Sequence, residues 1–92
     1  MYKITSRQKK IAKFLGVQIY PSSNKNKKID VYKNGKKIAA IGATGYNDFN
    51  TYLVLFGLAY ANQRRKLYKL RHAENINKKG TPGFYAYQIL WS

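Results

Sequence analysis

The 92-residue chain has no cysteine, one histidine and only three acidic residues, Asp30, Asp48 and Glu74. Without cysteine there is no disulfide and no thiolate metal site. His72 alone cannot make a His-rich centre, and three dispersed acids do not supply the clustered carboxylates of a nuclease-type metal site. Acid–base chemistry has little to draw on. His72 and Glu74 are the nearest pair, and residues two apart on a helix do not face each other. The glycines of Gly42-Ala-Thr-Gly45 match neither G-x-G-x-x-G nor G-x-x-x-x-G-K-[ST], so a nucleotide-binding loop is unsupported. A non-enzymatic protein is expected, with no catalytic residue, no metal and no cofactor. Long apolar runs are missing too. The longest, Tyr52–Ala61, is about half of what spans a bilayer. The Lys-rich N-terminus lacks the apolar core of a secretory signal. No membrane partner is expected, and the expected location is inside the cell or a virion.

Basic residues are what the chain has in excess. Eighteen Lys+Arg against three acids give a formal net charge of +15. A field of that size self-repels unless a polyanion neutralises it. Solubility needs a net charge of only about 2–8 in a small domain. Nucleic acid is the leading partner, with an acidic protein or an anionic surface behind it. Hydrophobic content of 45% is that of an ordinary globular chain. Residues 1–92 are expected to form one small basic domain with one core.

The strongest local signal is Ile29–Ile41, with Asn34-Gly35 between two runs rich in β-branched and aromatic residues. Asn-Gly suits the two left-handed positions of a type I′ hairpin turn. A two-residue loop fixes register. Lys33 should face Lys36, Tyr32 face Lys37, Val31 face Ile38, Asp30 face Ala39 and Ile29 face Ala40. Ile29, Val31, Ile38 and Ala40 then read as core, and Asp30, Tyr32, Lys37 and Ala39 as the outer face. Val17–Tyr20 alternates and reads as a strand ended, or held at an edge, by Pro21. Paired beside the hairpin it gives a three-stranded antiparallel sheet. Ser22–Lys28 reads as a basic loop.

The helices follow from caps and periodicity. Thr5 and Gln8 have capping-box spacing for a helix over Ser6–Leu15, and Gly16 stands at its C′ position. Asn47 or Asp48 should cap a second helix. Its stripe, Phe49, Leu53, Phe56, Tyr60, Gln63, Leu67 and Leu70, recurs at four- and three-residue steps. Val54, Leu55 and Leu58 widen the apolar face, so the first half is expected to be buried nearly all round against the sheet. Gly57 either allows close packing or divides the run into two helices. Arg65 and Lys69 should point outward, with Leu67 and Leu70 toward the core. Thr81-Pro82 reads as N-cap and N1 of a short last helix; a strand is the competing reading of its aromatics.

The fold expected is α+β: a three-stranded antiparallel sheet packed against one long helix or two consecutive ones, with short terminal helices. The functional pattern is basic residues interleaved with aromatics. Lys25, Lys27, Lys28, Lys33, Lys36 and Lys37 can neutralise phosphates around the sheet. Arg64, Arg65, Lys69, Arg71 and His72 can do so on the helix, and Lys78 and Lys79 after it. Tyr32 and Tyr46 can bond phosphate or stack on bases, although core packing takes most of the nine tyrosines. A two-stranded ribbon fits a major groove.

Two resemblances follow from these segments. Gly16-Val17, then Ile29-Asp-Val-Tyr-Lys-Asn-Gly-Lys-Lys-Ile-Ala-Ala-Ile-Gly42 and a helix, is similar in layout to β-β-β-α DNA-binding domains. The ethylene-responsive factor and integrase arm-binding families are of this kind. The resemblance implies a sheet that reads a major groove; those families' aromatic and arginine positions do not map onto this chain. Leu15-Gly-Val-Gln-Ile-Tyr-Pro-Ser-Ser, Lys28-Ile-Asp-Val-Tyr, Gly45-Tyr-Asn-Asp-Phe, Arg64-Arg-Lys-Leu-Tyr-Lys-Leu-Arg-His72 and Gly80-Thr-Pro-Gly-Phe-Tyr-Ala resemble small basic proteins of giant DNA viruses of protists and algae. That resemblance implies a viral setting and no activity. The function expected is largely sequence-independent nucleic-acid binding, DNA favoured over RNA, as in viral genome packaging or organisation. The alternatives are a virion structural protein contacting acidic virion proteins and an RNA-binding module.

Overall fold

Asn34 and Gly35 both lie in the left-handed region, at φ 53° and 78°, as a type I′ loop requires. The computed structural model describes residues 2–91. Three strands, β1 (Gln18–Pro21), β2 (Lys27–Lys33) and β3 (Lys36–Ala43), form one antiparallel sheet in the order β1-β2-β3. Pro21 sits opposite Ile29 on an edge strand, where its missing N–H costs no ladder bond on the outer side.

The hairpin register starts as the turn dictates, with Lys33 opposite Lys36 and Tyr32 opposite Lys37. It then slips by one residue: Val31 pairs with Ala39, Asp30 with Ala40 and Ile29 with Ile41. Ile38 is the extra residue of a β-bulge. Straight pairing, as expected from the sequence, would have sent Ile41 to the outer face. The bulge buries Ile41 and Ala39 beside Ile29 and Val31, leaving Ile38 half-buried against the same cluster. Burying Ile41 rather than Ala40 gains about 2 kcal/mol at 0.8 per methylene. That exceeds the roughly 1 kcal/mol net worth of one disrupted ladder bond.

Helix α1 (Ser6–Leu15) starts on the predicted capping box. Gln8 N donates to Thr5 Oγ1 at 3.1 Å and Thr5 N to Gln8 Oε1 at 2.9 Å. Gly16 ends it. The last helix is a helix and not a strand. Thr81 caps α4 (Pro82–Ala86), which continues into a π-helical turn over Tyr87–Trp91. These two terminal elements close the core. Ala12 and Val17 from one end, and Tyr85, Ile89 and Leu90 from the other, pack on Ile29, Val31, Ala39 and Ile41. Gly42 permits the close approach, since a Cβ there would lie 2.8 Å from Leu90 Cδ1.

Asp48 caps α2 (Phe49–Phe56), and α3 (Leu58–Arg71) follows at once. Gly57, at φ 90° and ψ 172°, turns the chain between them. Of the two roles open to it, it marks a division into two helices. The turn also overturns the expected burial. Positions three and four apart share a face only while one helix continues. Phe49 is buried and Leu53 half-buried, but Val54, Leu55, Phe56 and Leu58 are exposed and form an apolar elbow. Leu67 and Leu70 do not face the core; they are 45% and 70% exposed.

The register and the elbow are tested together by truncation. Ile41→Ala should cost about 2–5 kcal/mol, and Ile38→Ala clearly less. Leu70→Ala should stay within about 0.5 kcal/mol. Thermal or urea melts of the three variants give the order. A straight hairpin with a buried helix stripe would reverse it.

Candidate nucleic-acid interface

Asp48, capping α2, is also the anchor of a buried polar network. Its Oδ1 accepts from the Thr51 backbone N–H and hydroxyl, both at 3.0 Å. Its Oδ2 accepts from the Tyr2 hydroxyl at 2.7 Å and from Lys28 Nζ at 3.3 Å. Lys28 Nζ also donates to the Tyr46 carbonyl. Gln8 Nε2 donates to the Tyr2 hydroxyl at 2.8 Å, so the network runs back to the α1 capping box. Lys28, Asp48 and Gln8 are all buried. Burial pushes the Asp48 carboxyl up, but the Thr51 amide, the Tyr2 hydroxyl and Lys28 outweigh it and hold it below the ordinary 3.8. Tyr2 is raised, chiefly by burial. Lys28, expected to meet phosphate, is instead committed to this ion pair.

The network forms one wall of a cleft of about 460 Å³. Lys27, Gly42 and Ala43 come from the ends of β2 and β3, and Tyr46 and Asn47 from the turn after them. Arg64, Tyr68, Arg71 and His72 come from α3 and its C-cap. Their spacing is i, i+4, i+7 and i+8, one face of a helix. Trp91 and Leu90 close the cleft from the C-terminal turn. Tyr68 stacks on Trp91, centroids 4.5 Å apart at 15°, and meets the His72 ring at 4.3 Å, tilted by 32°. Tyr52 meets Trp91 at 6.0 Å. The Arg64 guanidinium lies 5.2 Å from the centre of the Tyr52 ring. Arg64 Nε is buried without a hydrogen-bond partner among the described residues. Its guanidinium lies against an aromatic ring rather than an acceptor, and the Nε itself is closed to solvent.

The remaining predicted residues fall elsewhere. Arg65 is not simply outward: it is half-buried, its guanidinium 4.3 Å from the centre of the Phe49 ring, and it donates to Asn62 Oδ1 at 2.8 Å. Arg7 approaches the same ring at 5.4 Å. Lys69 is exposed and, with Arg65 and Lys66, borders a second hollow on α3. Lys33 and Lys36 are free at the hairpin tip, while Lys37 pairs with Asp30 at 3.3 Å. Tyr32 meets Tyr20 edge-on at 5.5 Å on the outer sheet face. Lys33 and Lys79 line a shallow hollow near Phe14, and Lys25 and Lys78 are exposed. Of the predicted residues, the structure therefore brings together Lys27, Lys28, Tyr46, Arg64, Arg71 and His72. Sequence reasoning missed Tyr52, Tyr68 and Trp91. The periodicity of Arg64, Tyr68 and Arg71 could have flagged Tyr68; nothing local marks Tyr52 or Trp91.

No protein-family model, curated protein or solved structure matches this chain. No helix among the described residues is long and apolar enough to cross a membrane.

The network has a pH signature. Because the folded state lowers the Asp48 pKa, its contribution is fully present above 3.8 and is lost as pH falls through the lower folded value. Melting temperature should therefore drop below about pH 4, and Asp48→Asn should flatten part of that drop. At neutral pH Asp48→Asn should cost about 3–5 kcal/mol by leaving Lys28 buried and unpaired. Adding Lys28→Met should recover part of the loss, read by melts of both variants.

Proposed function

We propose that this protein binds nucleic acid without catalysis, chiefly through the phosphate backbone and with little sequence preference, duplex DNA foremost. The carrying observation is unneutralised charge. Of eighteen Lys and Arg, ion pairs among the described residues engage only Lys28 and Lys37. Lys25, Lys33, Lys36, Lys66, Lys69, Arg71, Lys78 and Lys79 are exposed on several sides of the molecule. That spread suits a polyanion that passes over or wraps the protein better than one small ligand. The resemblance to small basic proteins of giant DNA viruses adds only a viral setting; in that setting, backbone binding of this kind would serve the packaging or organisation of a genome. A second reading, a virion structural component docked on an acidic protein, draws on the exposed apolar elbow of Val54, Leu55, Phe56 and Leu58. Such a patch commonly marks a protein contact.

Binding to a random-sequence duplex across a salt series tests the first reading. Dissociation constants of about 1–100 μM are expected at physiological salt, with a log–log slope of about −0.9 per phosphate neutralised. Lys33→Ala with Lys36→Ala should weaken binding and shallow the slope without moving the melting temperature. Absence of binding even at low salt would overturn the reading in favour of the protein-docking one.

A further inference from the structure

The cleft between β3 and α3 holds more than charge. Cations alone suffice to grip a backbone, and the open surface already carries them. Here Lys27, Arg64 and Arg71 are gathered around a hollow whose wall is aromatic, with Tyr68 stacked on Trp91 and Tyr46 at the rim. Tyr46 is 75% exposed, an unusual placement for a large ring with no core to fill. The one acid in the lining, Asp48, is already occupied by Lys28, Tyr2 and Thr51. It leaves the cleft net positive. The Arg64 guanidinium, held over the Tyr52 ring, and Arg71 from the next turns of α3 both line it. A volume of about 460 Å³ lies within the range of small-ligand pockets. A duplex presents its bases stacked inward and cannot place a ring in such a hollow. An unpaired nucleotide can: its base has two π-faces for the tyrosines and tryptophan, and its phosphate is an acceptor for the cations that line the hollow.

We infer that this cleft receives one unpaired nucleotide of a strand, its base against the Tyr46, Tyr68 and Trp91 rings and its phosphate at Arg64, Arg71 and Lys27. The inference rests on the nucleic-acid reading above and narrows its substrate to strands with an end, gap or flipped base. Sequence preference at the site is slight, because stacking accepts any base.

Trp91 is the only tryptophan, so it reports on the site directly. The full chain is titrated with single-stranded oligodeoxyadenylate, with an abasic oligomer of equal length and phosphate count, with free deoxyadenosine monophosphate and with inorganic phosphate. Tryptophan fluorescence and the anisotropy of labelled oligomers are read together. Oligodeoxyadenylate should quench Trp91 and bind about tenfold more tightly than the abasic oligomer. The abasic oligomer should bind without quenching. Free deoxyadenosine monophosphate should quench only at much higher concentration, and phosphate not at all. In Arg64→Met and in Tyr46→Ala the tenfold preference should shrink toward unity. The exposed Tyr46 site keeps the test valid if Arg64→Met fails to fold. Equal affinity and equal quenching by the two oligomers would overturn the inference, as would a preference unchanged in both variants. Tighter quenching by the free nucleotide than by the strand would reassign the cleft to a mononucleotide. Duplex binding with a silent Trp91 would remove the cleft while leaving the backbone-binding reading intact; no binding to any nucleic acid would remove both.

Discussion

Lys28 reaches Asp48 across twenty residues of sequence, and both ends of that contact are buried. Two charges taken out of water are held only if the rest of their bonding capacity is met. Here it is met by different parts of the chain: the Tyr46 carbonyl on the lysine, Thr51 and Tyr2 on the aspartate. Tyr2 in turn ties in Gln8 and the start of α1. One buried pair thus fixes the N-terminal segment, the start of β2, the turn after β3 and the start of α2 relative to one another. The direction in which α2 leaves the sheet, and hence where α3 carries its arginines, depends on it.

With so few carboxylates, aromatic rings do much of the work that ion pairs do elsewhere. Arg7 and Arg65 lie over Phe49, Arg64 over Tyr52, and Lys69 near Tyr87. A cation over a ring contributes about 0.5–1 kcal/mol at exposed sites, comparable with an exposed salt bridge. A ring, however, leaves the net charge unchanged. A carboxylate partner would have cancelled the charge that a polyanion needs. The arrangement orients guanidinium groups along α3 while keeping the molecule strongly cationic.

Separating the two helices at Gly57 has two consequences. It frees the elbow from the core, and it turns the Arg64, Tyr68 and Arg71 face toward the C-terminal turn, where Trp91 meets it. The sheet core does not need either helix, since α1 and α4 already cover it. A cleft arises because the helix pair rests beside the sheet instead of across it.

Much of the fold was legible locally. The Asn34-Gly35 turn, the Thr5–Gln8 capping box, the Asp48 cap and the Thr81-Pro82 start each depend on residues within a few positions of one another. The sequence determined them because backbone conformation and capping bonds are short-range. Net charge, too, is a property of composition alone, and with it the polyanion reading. What reached beyond that range went to the tertiary structure. The bulge at Ile38 was decided by which isoleucine the core could bury, which depends on α1 and α4. The fate of Leu67 and Leu70 was decided by the turn at Gly57. Lys28 looked like one more surface lysine until Asp48 was brought beside it. The aromatic cleft joins Tyr46, Tyr68 and Trp91, residues with no periodic relation along the chain. Only the packing of the C-terminal turn on α3 puts those rings together, since a contact between distant residues has no local signature.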